Sequence, residues 1–378
     1  MDAHPDWIPV KQRAKEGPTS RWASLGPYYA MFPVVFARSV IDQYTHIGDG
    51  VLDPFAGRGT SLFCAREKGR RALGIEISPL GWIYGRTKLF PASEASVLRR
   101  IEQLSVIAPA FEEAAERLPE FFQYCFAPRV LAFLLAARSD LRWKTHRIDR
   151  TTIAFLLTYL HGKIDGGRPC ALSNQMRQTK AMAPEYSVNW WREHDLTVPP
   201  DIDPVDFLSS RVGWRYRHGA PDWDEHCLRL GDCRQILQRR KPADAGQYRL
   251  LLTSPPYRGV TSYYYDQWLR YWLLGETERP ILDGQKWKSK YDDATAYTRL
   301  LHQCFSSSRR LLTPDATIYV RTDARPATLD VTTRVLENLF PEKDHRLVAA
   351  PYSRATQTSL FGDRSTKPGE MDIILTPR

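Results

Sequence analysis

The chain has 378 residues, 43% hydrophobic and 25% charged, the balance of a globular protein that can hold one large α/β domain with a sizeable insertion, or two domains. Lys and Arg number 53 against 43 Asp and Glu, an excess of +10 that favours a polyanionic partner without requiring one. Val130–Ala137, the longest continuous apolar run, is far too short to span a bilayer, and six cysteines without any Cys-x-x-Cys spacing give neither a disulfide framework nor a zinc site.

Residues 1–22 read as a polar arm with Lys11, Arg13, Lys15 and Arg21, and their start lacks the basic-then-apolar profile of a secretory signal. Reduced thiols and a cytoplasmic, prokaryotic setting are the expectation. Gly26-Pro-Tyr-Tyr-Ala-Met-Phe-Pro33 follows, then a helical stretch from Val34 to Tyr44 with Pro33 at its start. Residues 50–60, Gly-Val-Leu-Asp-Pro-Phe-Ala-Gly-Arg-Gly-Thr, are a short apolar strand (51–55) running into a glycine turn. The segment 61–68 is helix-compatible, and 72–77 reads as a second strand with Glu76 near its end. Gly57 and Gly59 fit the first two positions of a dinucleotide fingerprint, but Leu62 stands where its third glycine belongs. A phosphate-binding loop fails too, because no Gly-Lys-Ser/Thr follows.

From about Pro91 to Pro221 the strand–helix alternation stops. Residues 94–138 look helical. Basic and aromatic residues then interleave, at Arg142, Trp143, Lys144, His146 and Arg147, in the polar run Ser173–Lys180, at Trp190, Trp191 and Arg192, and in 214–218. Phosphates want Arg and Lys, and base edges want Asn, Gln and Arg. The insertion therefore reads as a target-recognition region, with a self-packed helical lid as the alternative. Alternation resumes at Cys227-Leu-Arg-Leu-Gly-Asp232. The strand 248–253 then runs into Ser254-Pro255-Pro256-Tyr257, where two prolines stiffen the backbone as the strand meets solvent. An aromatic helix (263–274), helix 294–312, strand 317–321, helix 327–340 and strands 347–350 and 371–376 complete the sheet, with 353–369 as a mobile hairpin loop. The chain thus divides into 1–90, the helical insertion 91–221, and 222–378.

The strand ending Asp-Pro-Phe-x-Gly-x-Gly-Thr resembles the cofactor loop of amino-directed S-adenosylmethionine-dependent DNA methyltransferases, and Thr-Ser-Pro-Pro-Tyr resembles their catalytic motif in its cytosine-N4 form. The resemblance covers about 26–90 and 227–376. It implies an α/β fold with a doubly wound, mostly parallel seven-stranded methyltransferase sheet. It also implies S-adenosylmethionine held by Phe32, Asp53, Phe55, Gly57, Gly59, Thr60, Glu76 and Asp232. In that picture Asp53 takes the methionine ammonium, Phe55 covers the adenine, Glu76 accepts both ribose hydroxyls and Asp232 accepts the adenine amine. Ser254, Pro255, Pro256 and Tyr257 are the implied catalytic residues, with Tyr257 stacking on a flipped base. Double-stranded DNA is the implied partner, contacted by Arg142, Lys144, Arg147 and Arg258; a restriction endonuclease or other defence protein is a further possible partner. No metal and no membrane are expected.

One departure stands out. Cytosine-N4 enzymes commonly place the Pro-Pro-Tyr motif first, whereas this chain places the cofactor loop first. Three alternatives stay open: an adenine-N6 DNA enzyme, an RNA guanine-N2 enzyme, against which Ser254 in place of Asp or Asn argues, and a non-catalytic DNA-binding module on the same fold. Methylation at cytosine C5 needs a thiolate; the sole Pro-Cys, Pro169-Cys170, lies outside any strand end.

Overall fold

The strands that carry the two motifs lie side by side. The computed structural model describes residues 18–27, 32–259, 264–280, 291, 293–350 and 369–378. Its main sheet has seven strands: β1 (Gly50–Asp53), β2 (Arg71–Glu76), β3 (Leu228–Leu230), β4 (Tyr248–Thr253), β5 (Leu312–Asp323), β6 (Lys343–Ala350) and β7 (Glu370–Pro377). Their order is β3-β2-β1-β4-β5-β7-β6. All run parallel except β7, which is antiparallel to both β5 and β6. This is the expected doubly wound, mostly parallel seven-stranded sheet. The order reverses between β1 and β4, where Val51 pairs with Leu250 and Leu52 with Leu251. Ligands in such sheets bind beyond the carboxyl ends of the strands at that reversal.

Successive strand residues point to opposite faces, so each strand feeds two cores. Val51, Leu250 and Leu252 enter one; Leu52, Leu251, Ile318 and Val320 enter the other. The second core is closed by the helices Ala294–Arg309 and Pro326–Leu339, whose buried positions include Leu301, Phe305, Val335 and Leu336. The first runs without a break from the helices Val34–Tyr44 and Pro79–Leu89 into the insertion. There the helices Glu94–Ile107, Pro128–Asp140, Arg147–Tyr159 and Pro204–Tyr216 bury Val97, Leu131, Phe155 and Leu208. The insertion is largely helical, as expected, and shares its core with one face of the sheet.

Several expected elements are revised. The stretch 94–138 is helical as expected but divided into segments, with Pro109 in the 3-10 turn Ala108–Phe111, Pro119 before the helix Glu120–Cys125 and Pro128 at the start of the next. The aromatic stretch 263–274 is a 3-10 turn, Tyr265–Gln267, continuing into the helix Trp268–Leu273; Tyr263 lies outside the described residues. Strands β5 and β6 extend well beyond the expected 317–321 and 347–350. Residues 1–17 of the arm and 353–368 of the expected hairpin also fall outside the described residues. Among the described residues, no helix is long and apolar enough to cross a membrane.

Candidate active site

Asp53, the last residue of β1, is 2% exposed and joins three segments. Its Oδ1 accepts from the Phe55 amide (3.1 Å) and from Thr253 Oγ1 (2.6 Å), and its Oδ2 accepts from Ser61 Oγ. Burial pushes its carboxyl up to about 6, against the opposing pull of the Ser61 and Thr253 hydroxyls and the Phe55 amide. The side chain expected to meet the cofactor's ammonium thus ties the loop after β1 to the end of β4.

Beyond Asp53 the chain turns through Gly57 (φ 52°) and Gly59 (φ 73°), both in the left-handed region that suits glycine. The Ala56 amide donates to the Ile75 carbonyl (2.9 Å) and the Gly59 amide to the Ala56 carbonyl (2.7 Å). Thr60, buried, then opens the helix Thr60–Glu67. Glu76 closes the loop from the next strand. Its carboxylate accepts from the Gly57 amide (2.7 Å) on one oxygen and from the Ser78 amide (2.8 Å) on the other. The helix Pro79–Leu89 presses on the loop through two glycines. A Cβ at Gly81 would lie 2.7 Å from the Gly57 carbonyl oxygen and 2.9 Å from Glu76 Cγ; one at Gly85 would lie 2.3 Å from Leu228 Cδ2 and 3.4 Å from the Arg58 carbonyl carbon.

Arg58, between the loop glycines, turns inward. It donates to the carbonyls of Leu25 (3.1 Å) and Gly26 (2.7 Å), so the loop is tied to the segment that leads to Phe32. Burial and the nearby Arg215 lower its guanidinium to about 10. Lys88, fully buried, donates to the Arg58 carbonyl (3.2 Å), and burial lowers its ammonium well below the usual lysine range. Phe32 is itself buried against Phe36, ring centroids 5.4 Å apart. Phe55 is half-buried, its ring edge-on to Phe305 at 6.4 Å. Asp232 follows β3 and caps the helix Cys233–Gln238 by accepting from the Arg234 amide (2.9 Å), while the Arg234 guanidinium forks onto its carboxylate (2.5–3.0 Å). The Gly231 amide donates to the Glu76 carbonyl (2.9 Å), which brings Asp232 to the same rim as the loop.

The Ser254–Tyr257 corner leaves β4 beside all this. Ser254 and Pro256 are half-buried and Pro255 is buried. Tyr257 is 9% exposed, and its hydroxyl donates to Glu370 Oε1 (3.1 Å). Glu370 leads into Arg321, which lies 3.5 Å from its second oxygen, forks onto Asp372 (2.6 and 2.7 Å), and sits 3.5 Å from the centroid of the Phe36 ring. Burial raises the Glu370 carboxyl. Arg325 donates to the Arg258 carbonyl (2.8 Å), fixing the far end of the corner. A further link crosses the rim: the Tyr271 and Ser78 hydroxyls are 2.6 Å apart, one residue pair beyond Glu76.

The expected DNA contacts do not form one group. Arg142, Lys144 and Arg147 are exposed along the helix Pro79–Leu89: Trp143 meets Trp82, Lys144 lies over Trp143 and Arg147 over Phe90 at 4.0 Å. Phe90 lies roughly 16 Å down that helix from the rim. Arg258 lies at the Ser254–Tyr257 corner. Ser61, Ser78, Gly81, Gly85, Thr253 and Glu370 complete the site, and none was singled out in the sequence; only Thr253, in the recognised Thr-Ser-Pro-Pro-Tyr, stood within a visible motif.

The DNA methylase family N6_N4_Mtase matches residues 6–80, a span that contains the loop 53–60 and Glu76 and ends well before Ser254. The type II methyltransferase M.MjaII of Methanocaldococcus jannaschii is 33% identical over 63 residues, 17% of this chain and 12% of that protein. M.MthZI of Methanothermobacter thermautotrophicus is 42% identical over 48 residues, 13% of this chain and 14% of the relative. M.AvaI of Nostoc is 38% identical over 71 residues, 18% and 14% respectively. The matched chain therefore spans about an eighth of the length of these curated relatives. Among solved structures, an rRNA methyltransferase, aviRa from Streptomyces viridochromogenes, aligns over 95% of this chain and 92% of its own at 12% identity, with a TM-score of 0.31. The cofactor of this methylase family is S-adenosylmethionine. The glycine turn, the buried acid at the end of β2 and the close helix behind them are a cradle that suits it.

Proposed function

We propose that this chain is an S-adenosylmethionine-dependent DNA methyltransferase acting on the exocyclic N4 of cytosine. One observation carries the reading: the parallel neighbours β1 and β4 bring the Asp53–Thr60 loop and the Ser254–Tyr257 corner to one rim, joined by the bond from Thr253 to Asp53. The bound cofactor supplies an electrophilic methyl group on a sulfonium. Gly57, Gly59 and Glu76 would hold it, with Phe55 and Asp232 as the residues that would meet its adenine. An exocyclic amine is a poor nucleophile because its lone pair is delocalised into the ring. Ser254 Oγ and the Pro255 carbonyl accept its two hydrogens and favour a pyramidal nitrogen, so catalysis rests on position and electrostatics.

Extruding the base costs a few kcal/mol, and stacking on Tyr257 returns roughly 1–3 kcal/mol. Tyr257 is buried in this state, so one ring face must be uncovered as the base arrives, while Glu370 keeps hold of the hydroxyl. Contacts to phosphates supply the remainder, and Arg142, Lys144 and Arg147 carry that sequence-independent charge. Expression in a methylation-free host followed by genome-wide mapping of modified bases tests the reading. Modified cytosines at one recurring sequence are expected; DNA without any added modification, with label appearing in RNA, overturns it.

A further inference from the structure

Residues 177–182, Arg-Gln-Thr-Lys-Ala-Met, cross the insertion as an irregular strap. Buried side chains hold its main chain at almost every residue. His161 Nδ1 donates to the Arg177 carbonyl (2.8 Å), Arg270 to that of Gln178 (2.8 Å), Gln267 to that of Thr179 (2.5 Å), and Trp268 Nε1 to that of Met182 (3.0 Å). The Ala181 amide donates to the Asp266 carbonyl (3.0 Å), and Lys180 pairs with the Asp266 carboxylate (2.8 Å). His161, Gln267, Trp268 and Arg270 are each at most 2% exposed. Burial, and then the nearby Arg270, lower the His161 imidazole well below its usual range, which keeps it a neutral donor from Nδ1.

All of these anchors except His161 share the helical segment 265–273, which follows the Ser254–Tyr257 corner in the chain. The same segment carries Tyr271, whose hydroxyl meets Ser78 beside Glu76. Arg270, which holds the strap at Gln178, directly precedes Tyr271, so one short helix links the strap to Ser78 and the Glu76 side of the rim. Arg177 and Gln178 present exposed side chains on this strap, and neither side chain makes a hydrogen bond or ion pair among the described residues. A main chain held at four carbonyls with two long polar side chains turned to solvent is preorganised for recognition. Arg is the bidentate reader of guanine O6 and N7, and Gln of adenine N6 and N7. Solvation alone would not call for so many buried donors on one short segment.

We propose that Arg177 and Gln178 are specificity-determining residues that read base edges in the major groove next to the flipped cytosine, Arg177 a guanine and Gln178 an adenine. This rests on the DNA reading above. The assignment separates them from Arg142, Lys144 and Arg147, whose place along the helix Pro79–Leu89 suits phosphates.

The test is to map modified bases in a methylation-free host expressing the full chain, R177A, Q178A or R142A/K144A/R147A, with binding of S-adenosylhomocysteine measured alongside. R177A should relax the recognised sequence at one guanine, and Q178A at one adenine. Each should lose roughly tenfold to a hundredfold in discrimination at that position, with S-adenosylhomocysteine affinity within about twofold of wild type. The triple variant should lower methylation at all sites alike and leave the sequence unchanged. If both single variants methylate the wild-type sequence with wild-type discrimination, the strap is structural and the proposal fails while the function stands. If the wild-type chain modifies no DNA, the function fails and the proposal with it.

Discussion

Asp53 and Thr253, 200 residues apart in sequence, are joined by a 2.6 Å hydrogen bond from the threonine hydroxyl to a carboxylate that is 2% exposed. One residue precedes the glycine turn and the other precedes Ser254, so this bond ties the two halves of the candidate site together. Thr253→Val keeps the shape and removes the donor. It should lower stability by about 1–3 kcal/mol, because a buried acceptor loses a partner. It should also lower the methyl-transfer rate, with Thr253→Ser restoring both. Thermal unfolding together with single-turnover rates checks this.

The same carboxylate gives the protein a pH signature. Its folded value is raised to about 6 from an ordinary 3.8, so the folded state holds the proton more tightly than the unfolded chain. The contribution is fully present below about pH 3.8 and is lost as pH rises through about 6, a change of roughly 3 kcal/mol. Asp53→Asn should remove that part of the slope. Urea unfolding of both proteins from pH 4 to pH 7 measures it; parallel curves would show that Asp53 titrates as an ordinary carboxyl.

Gly81 lies outside both sequence motifs, yet a methyl group there would meet the Gly57 carbonyl oxygen at 2.7 Å and Glu76 Cγ at 2.9 Å. The neighbour is backbone of the glycine turn and cannot give cheaply. Gly81→Ala should therefore weaken S-adenosylhomocysteine binding by about tenfold or more, a cost of roughly 1.4 kcal/mol or above, as Gly57→Trp should abolish it. Calorimetric titration reads both; unchanged affinity in Gly81→Ala would mean that the turn lies elsewhere in the bound state.

Ser254→Ala should cost one hydrogen bond made mainly near the transition state, on the order of 1–3 kcal/mol, or about tenfold to a hundredfold in rate, with cofactor affinity intact. Tyr257→Ala should be at least as damaging, since it removes the stacking surface. Tyr257→Phe isolates the bond to Glu370 and should cost less than Tyr257→Ala. Single-turnover kinetics on a cognate duplex separate the three.

The sheet was legible because its strands are short apolar runs that end in turn residues: Asp53-Pro54, Gly231-Asp232 and Ser254-Pro255 each mark a strand end. Both motifs could be read because glycines and prolines are forced by backbone geometry. The helix Pro79–Leu89 was not. It is buried on nearly every side and carries two glycines, so it has neither an apolar stripe nor helix-favouring composition. Glu370 was equally hidden, since an acid at the start of the last strand looks like any solvated end; only the fold brings it to Tyr257. The inward turn of Arg58 and the strap 177–182 depend on contacts between distant segments that no local pattern records.

The modified base identifies the reaction most directly. DNA methylated by the purified chain, digested to nucleosides and separated by mass spectrometry, should contain N4-methylcytosine, lost in Ser254→Ala under the same single-turnover conditions. N6-methyladenine as the sole modified nucleoside would contradict the assignment of the base, and label confined to RNA would contradict the substrate.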